Sequence, residues 1–84
     1  MDDLYFVMEC EWGKEDRIRE DFEKLLIARS QNRLMIFNGN SLGKIANSLI
    51  DRIKIFKGSQ NGDRYLFAGW GWNDQKYEFF QHIV

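Results

Sequence analysis

Apolar and polar positions alternate along the start of the chain. Leu4, Phe6, Met8, Cys10 and Trp12 share one side of an extended segment, and Tyr5, Val7, Glu9 and Glu11 share the other. A period of two predicts a half-buried strand over 4–12 with the first set inward, which makes Cys10 a core residue, and Gly13 ends it. Over 14–30 the period becomes that of a helix, because Ile18, Phe22, Leu25 and Leu26 fall at i, i+4, i+7 and i+8. Glu15 and Asp16 suit the positive end of its dipole, and Glu15 with Arg19 and Glu20 with Lys24 are spaced to pair on the solvent side.

The run RLMIF, 33–37, predicts a short strand closed by Asn38 and Gly39. Asn40 or Ser41 then caps a second helix, along which Leu42, Ile45, Ala46, Leu49, Ile50 and Ile53 form one apolar stripe. Residues 52–57 fit two patterns: they alternate as a strand does, while Phe56 also prolongs the helical stripe with Gly58 as terminator. A strand over 52–57 is preferred, because GSQNGD then reads as a hairpin loop.

RYLFAGWGW, 64–72, predicts the next strand, and YEFFQHIV, 77–84, pairs with it across Asn73, Asp74, Gln75 and Lys76. This register sets Trp72 opposite Tyr77, Trp70 opposite Phe79 and Leu66 opposite Ile83, with Gly69 facing Phe80 and Phe67 facing His82 on the reverse side. A C-terminal helix capped by Asp74, with Tyr77, Phe80 and Val84 inward, is the competing reading. The expected fold class is α+β, one domain over 1–84 in the order β-α-β-α-β-β-β, with two helices on one face of a mostly antiparallel sheet.

Both faces of such a hairpin carry rings, and two helices cover only one. Tyr65 and Phe67 are then either shielded by helix ends, or part of a homodimer seam with Phe80, or a platform on which bases stack. Gly69 and Gly71 remove side chains from one face and let another backbone or a flat base come close.

A hydrophobic content of 44% with 30% charged residues is that of a folded chain. The opening MDDLYFVMEC has acids where a secretory signal needs basic residues, and no window approaches the ~20 apolar residues of a membrane span. One cysteine excludes an intramolecular disulfide and a zinc pair, so a reducing cytoplasmic setting without membrane attachment is expected.

The net charge of −1 conceals an asymmetry. Residues 1–23 hold nine acids against three bases, a balance of −6, and residues 24–57 hold seven bases against Asp51 alone, a balance of +6. If the two segments occupy different faces, the molecule has an acidic and a basic side.

Signs of catalysis are few. GNSLGKI, 39–45, follows a strand and opens a helix, but three residues separate its glycines where a phosphate-binding loop needs four, and Ile45 stands where that loop needs a hydroxyl. Lys44 with the helix-start amides would serve at most a single backbone phosphate. Cys10 lies between two glutamates, which disfavour a thiolate, and His82 is the lone histidine. No catalytic residue, metal site or cofactor is expected.

The expected function is a non-catalytic binding module, of the kind seen in antitoxin-like or phage-type regulators. It would engage RNA or an RNA-bearing protein complex through Arg29, Arg33, Lys44, Arg52, Lys54, Lys57 and Arg64, with Tyr65 and Trp72 as stacking rings. A homodimer is expected as well. The alternative is a protein-directed inhibitor or immunity protein that presents the acidic helix, 14–23, to a basic target.

Overall fold

In the computed structural model, which describes residues 6–28, 30–58 and 60–84, the order is β1 (Phe6–Glu11), α1 (Glu15–Ile27), β2 (Asn32–Gly39), α2 (Leu42–Ile55), β3 (Arg64–Gly71) and β4 (Lys76–Ile83). Leu4, Tyr5 and Arg29 lie outside the described residues. The strands form one sheet in spatial order β1-β2-β3-β4. β1 pairs parallel with β2 and β2 parallel with β3, and β4 alone runs antiparallel.

The α+β class therefore holds with two helices and a four-stranded sheet, but the sheet is mixed and not mostly antiparallel. The reason is residues 52–57. Arg52 to Ile55 form the last turn of α2, and the Phe56 amide closes it by donating to the Arg52 carbonyl at 3.0 Å. Ile53 is buried on the helical stripe, whereas Ile55 is 78% exposed, so the alternation Ile53, Ile55 follows no sheet face. With that strand gone, β2-α2-β3 becomes a complete crossover, and a crossover joins parallel strands.

The sheet grows in one direction from β1 to β3, so two crossovers of the same hand place both helices on the same side. Ile18, Phe22 and Leu25 of α1 and Leu42, Ile45, Leu49 and Ile53 of α2 form a single core with Met35, Phe37, Tyr65 and Phe67 of the sheet. Phe22 is its keystone, with ring centroids 5.9 Å from Tyr65 and 5.7 Å from Phe67.

Gly69 lets α2 come down onto β3: a Cβ there would stand 2.9 Å from Leu42 Cδ2 and 3.0 Å from Phe37 Cζ. The hollow expected to admit a base or a second backbone is thus filled by Leu42 from within.

The C-terminal segment is a strand, as preferred over a helix, with its register moved by two residues. Trp70 faces Tyr77, Ala68 faces Phe79 and Gly69 faces Glu78. The loop is Trp72 to Gln75, in which the Gln75 amide donates to the Gly71 carbonyl at 2.7 Å and Gln75 takes the left-handed conformation, φ 54°.

One buried ion pair ties the loop before β3 to β2. Arg33 Nη1 lies 3.1 Å from Asp63 Oδ2, both side chains being buried. Arg33 Nη2 donates to the Ala28 carbonyl at 2.9 Å, its guanidinium stacks 4.9 Å from the Tyr65 ring centroid, and Asp63 Oδ2 also accepts the Gln60 amide at 3.0 Å.

Candidate interaction face

Helices cover one face of the sheet and leave the other open. Directly paired residues share a face, so the register defines rows across the open side. Met8, Leu34, Leu66 and Gln81 form one row; Cys10, Ile36, Ala68 and Phe79 the next; and Asn38, Trp70 and Tyr77 a third. The row of Asn32, Arg64 and Ile83 completes it at the opposite end.

Beyond the third row, Trp12 and Trp72 extend the surface. Ring centroids follow one another from Trp12 to Trp72 at 6.4 Å, Trp72 to Trp70 at 6.1 Å, Trp70 to Tyr77 at 5.0 Å and Tyr77 to Phe79 at 6.3 Å. These spacings are those of edge-to-face and offset ring pairs, so the five rings support one another as a continuous band. Asn38 anchors it: its Oδ1 accepts the Trp72 indole N–H at 2.9 Å, while its amide donates to the Glu11 carbonyl at 3.5 Å.

Seven large apolar side chains of this face stay exposed: Met8, Trp12, Leu66, Trp72, Tyr77, Phe79 and Ile83. Phe79 is the most open, at 67%. Among the described strand residues, Arg64 is the one formal charge pointing to this side.

The inward side expected for β1 is reversed. Met8, Cys10 and Trp12 are exposed on the open face, and Val7 packs against the core from the helix side. Cys10 is thus an exposed thiol and not a core residue. Alternation separates the two sides of a strand without saying which one is covered, and in an edge strand the helix-facing side retains Glu9, which adds to the field that raises the Lys24 pKa above its ordinary value, behind the larger effect of Asp21.

The rings expected at a dimer seam change places in the same way. Tyr65 is 1% and Phe67 0% exposed, both beneath the helices, and Phe80 packs against the edge of the core.

The site residues expected from the sequence fall in separate places. Lys44, Lys54 and Lys57 are exposed on or just beyond α2, on the helix side of the sheet. Arg52 on the same helix pairs with Glu23 of α1 at 3.0 Å, Arg33 is buried with Asp63, and Tyr65 is buried beneath α1. Arg64 and Trp72 are the two that reach the open face, at its opposite ends. From Arg64 to Trp70 is six residues along β3, about 20 Å at ~3.3 Å per residue.

The acidic and basic segments do not take opposite faces. Helices α1 and α2 lie side by side over the same core and are bridged by Arg52 and Glu23. The acids of α1 are partly engaged at home: Asp21 is held below its ordinary pKa by a hydrogen bond with the Glu11 side chain and by Lys24, 3.2 Å away.

Sequence reading groups Tyr77 and Phe79 with Trp70 and Trp72 on one face of the hairpin, and misses that Asn38 and Trp12 join them and that this is the side the helices leave open. The signal was present in Gly69 and Gly71, since glycines on one side of a central strand mark the side where helix side chains press in.

Among the described residues no group of three His, Cys, Asp or Glu is placed to hold a metal ion, and no helix is long and apolar enough to cross a membrane. Compared with family models, curated proteins and solved structures, the chain matches none.

Proposed function

We propose that this chain is a small non-catalytic binding module that engages another polypeptide through the open aromatic face of its sheet, in the cytoplasm. The observation that carries the reading is a band of five linked rings on a face where, among the described strand residues, Arg64 is the one formal charge. Exposed apolar patches of several hundred Å² mark association sites, and interface centres are rich in Trp, Tyr, Phe and Met and poor in charge.

Uptake of RNA is the second reading, favoured by the stacking capacity of the same rings and by Arg64 at the margin. It ranks below the first because phosphates need cations beside the rings, and Lys44, Lys54 and Lys57 stand on the helix side. An inhibitor working through the acidic helix would leave the aromatic face without a use.

Replacing Phe79 by p-benzoylphenylalanine in the cells that make the protein tests the proposal, since one exposed ring is exchanged for another. Irradiation should give a polypeptide adduct that survives nuclease, while the same analogue at Asn47, exposed on α2, should give little. A nuclease-sensitive adduct would establish the RNA reading instead, and equal adducts at both positions would remove the open face as the site.

A further inference from the structure

We infer that the polypeptide which covers the open face is a second copy of this chain, packed sheet against sheet about a twofold axis into a four-layer α/β/β/α sandwich. The inference rests on the reading of that face as the interaction surface and adds the identity of its occupant.

A twofold interface sets each patch against its own copy, so a patch rich in one sign of charge repels itself. This face avoids that penalty. Among the described strand residues its polar positions are the uncharged Asn32, Asn38 and Gln81, together with Arg64, which is exposed in the end row. A face with so little charge also offers a different partner few groups by which to be selected, whereas a self-partner needs only apolar area and fit.

The area is sufficient. The seven large apolar side chains are between 40% and 67% exposed. At about 200 Å² for each such side chain when fully exposed, they present roughly 700 Å² per copy. A stable interface of standard size takes about 800 Å² from each partner, and the half-buried Leu34, Ile36 and Trp70 lie within the same patch.

Phe79, 67% exposed, stands directly beside Ala68, the smallest side chain of the face, so each copy presents a prominent ring near the middle of the patch. Two sheets pack face to face at a spacing of about 10 Å when such side chains interdigitate.

Sedimentation equilibrium of the purified chain tests this. The wild type should weigh twice 10.1 kDa at micromolar concentration. Phe79→Lys should sediment as a monomer with an unchanged circular dichroism spectrum, its association weakened roughly a hundredfold or more, because the lost anchor counts once in each copy. Lys54→Glu, on the helix side, should remain a dimer. Cys10 supplies an independent readout: its labelling by a thiol reagent should be slow in the dimer and accelerate on dilution or in Phe79→Lys.

A wild type that stays at 10.1 kDa up to about 0.5 mM overturns the second copy as occupant. If position 79 still yields a nuclease-resistant adduct, the interaction face stands with a different partner; if it yields none, both fall. A dimer that survives both Phe79→Lys and Leu66→Lys, with Cys10 freely labelled, would place the contact on another surface and overturn the proposal too.

Discussion

Asp63→Ala should be among the most damaging single changes to the fold. Asp63 Oδ2 lies 3.1 Å from Arg33 Nη1 and accepts the Gln60 amide at 3.0 Å, and Arg33 is only 6% exposed. Truncation leaves the guanidinium buried with the Ala28 carbonyl and the face of Tyr65 as support. An uncompensated buried charge costs about 3–5 kcal/mol, and the lost turn hydrogen bond adds about 1 kcal/mol. A domain of 84 residues is stable by roughly 4–13 kcal/mol, so a third or more of the total disappears. In urea, followed by circular dichroism, the midpoint should fall by about 2–4 M for a slope near 1.5–2 kcal/mol/M. Arg33→Met with Asp63→Leu should recover most of the loss, since the charge leaves with its partner. Added salt should barely change the effect, because buried pairs are poorly screened. A loss under about 1 kcal/mol, or a double variant no better than Asp63→Ala, would refute the reasoning.

Further outcomes follow from the packing. Gly69→Ala should lower stability by about 1–3 kcal/mol in thermal unfolding, because its Cβ meets Leu42 and Phe37 near 3 Å, and Gly71→Ala should do less, its nearest neighbour being 3.4 Å away. Ile53→Ala should cost about 2–5 kcal/mol while Ile55→Ala stays within about 0.5 kcal/mol, the signature of a helix over 52–55; equal effects would restore the strand. A double-mutant cycle on Arg52 and Glu23 should give a coupling under about 1 kcal/mol that fades in salt, the behaviour of an exposed pair.

Periodicity made several elements legible. The stripe Ile18, Phe22, Leu25, Leu26 is the buried side of α1, and the Leu42 to Ile53 stripe is that of α2. The C-terminal hairpin forms with a register two residues from the expected one, which keeps the same residues together on each face, because side chains alternate with period two. Two things were not legible, for two physical reasons. Residues 52–57 satisfy both periods at once, and burial of Ile53 against α1 and the sheet decided for the helix. The choice of covered face was lost because both sides of β3 are apolar: Tyr65 and Phe67 on one, Leu66 and Trp70 on the other. Only the course of the crossovers selects between them, and one misplaced strand had removed the second crossover.

The central claim is that this protein makes its contacts through the open sheet face and not through the charged helices. The most direct measurement isolates tagged chain from its own cells alongside an untagged copy, and quantifies retained protein and RNA for two variants. One carries Leu66→Lys and Phe79→Lys on the open face; the other carries Lys44→Glu, Lys54→Glu and Lys57→Glu on the helix side. The account predicts that the open-face variant loses the untagged copy and any other bound polypeptide, that the helix-side variant retains them, and that neither carries RNA above background. Bound material lost only with the helix-side variant would contradict it.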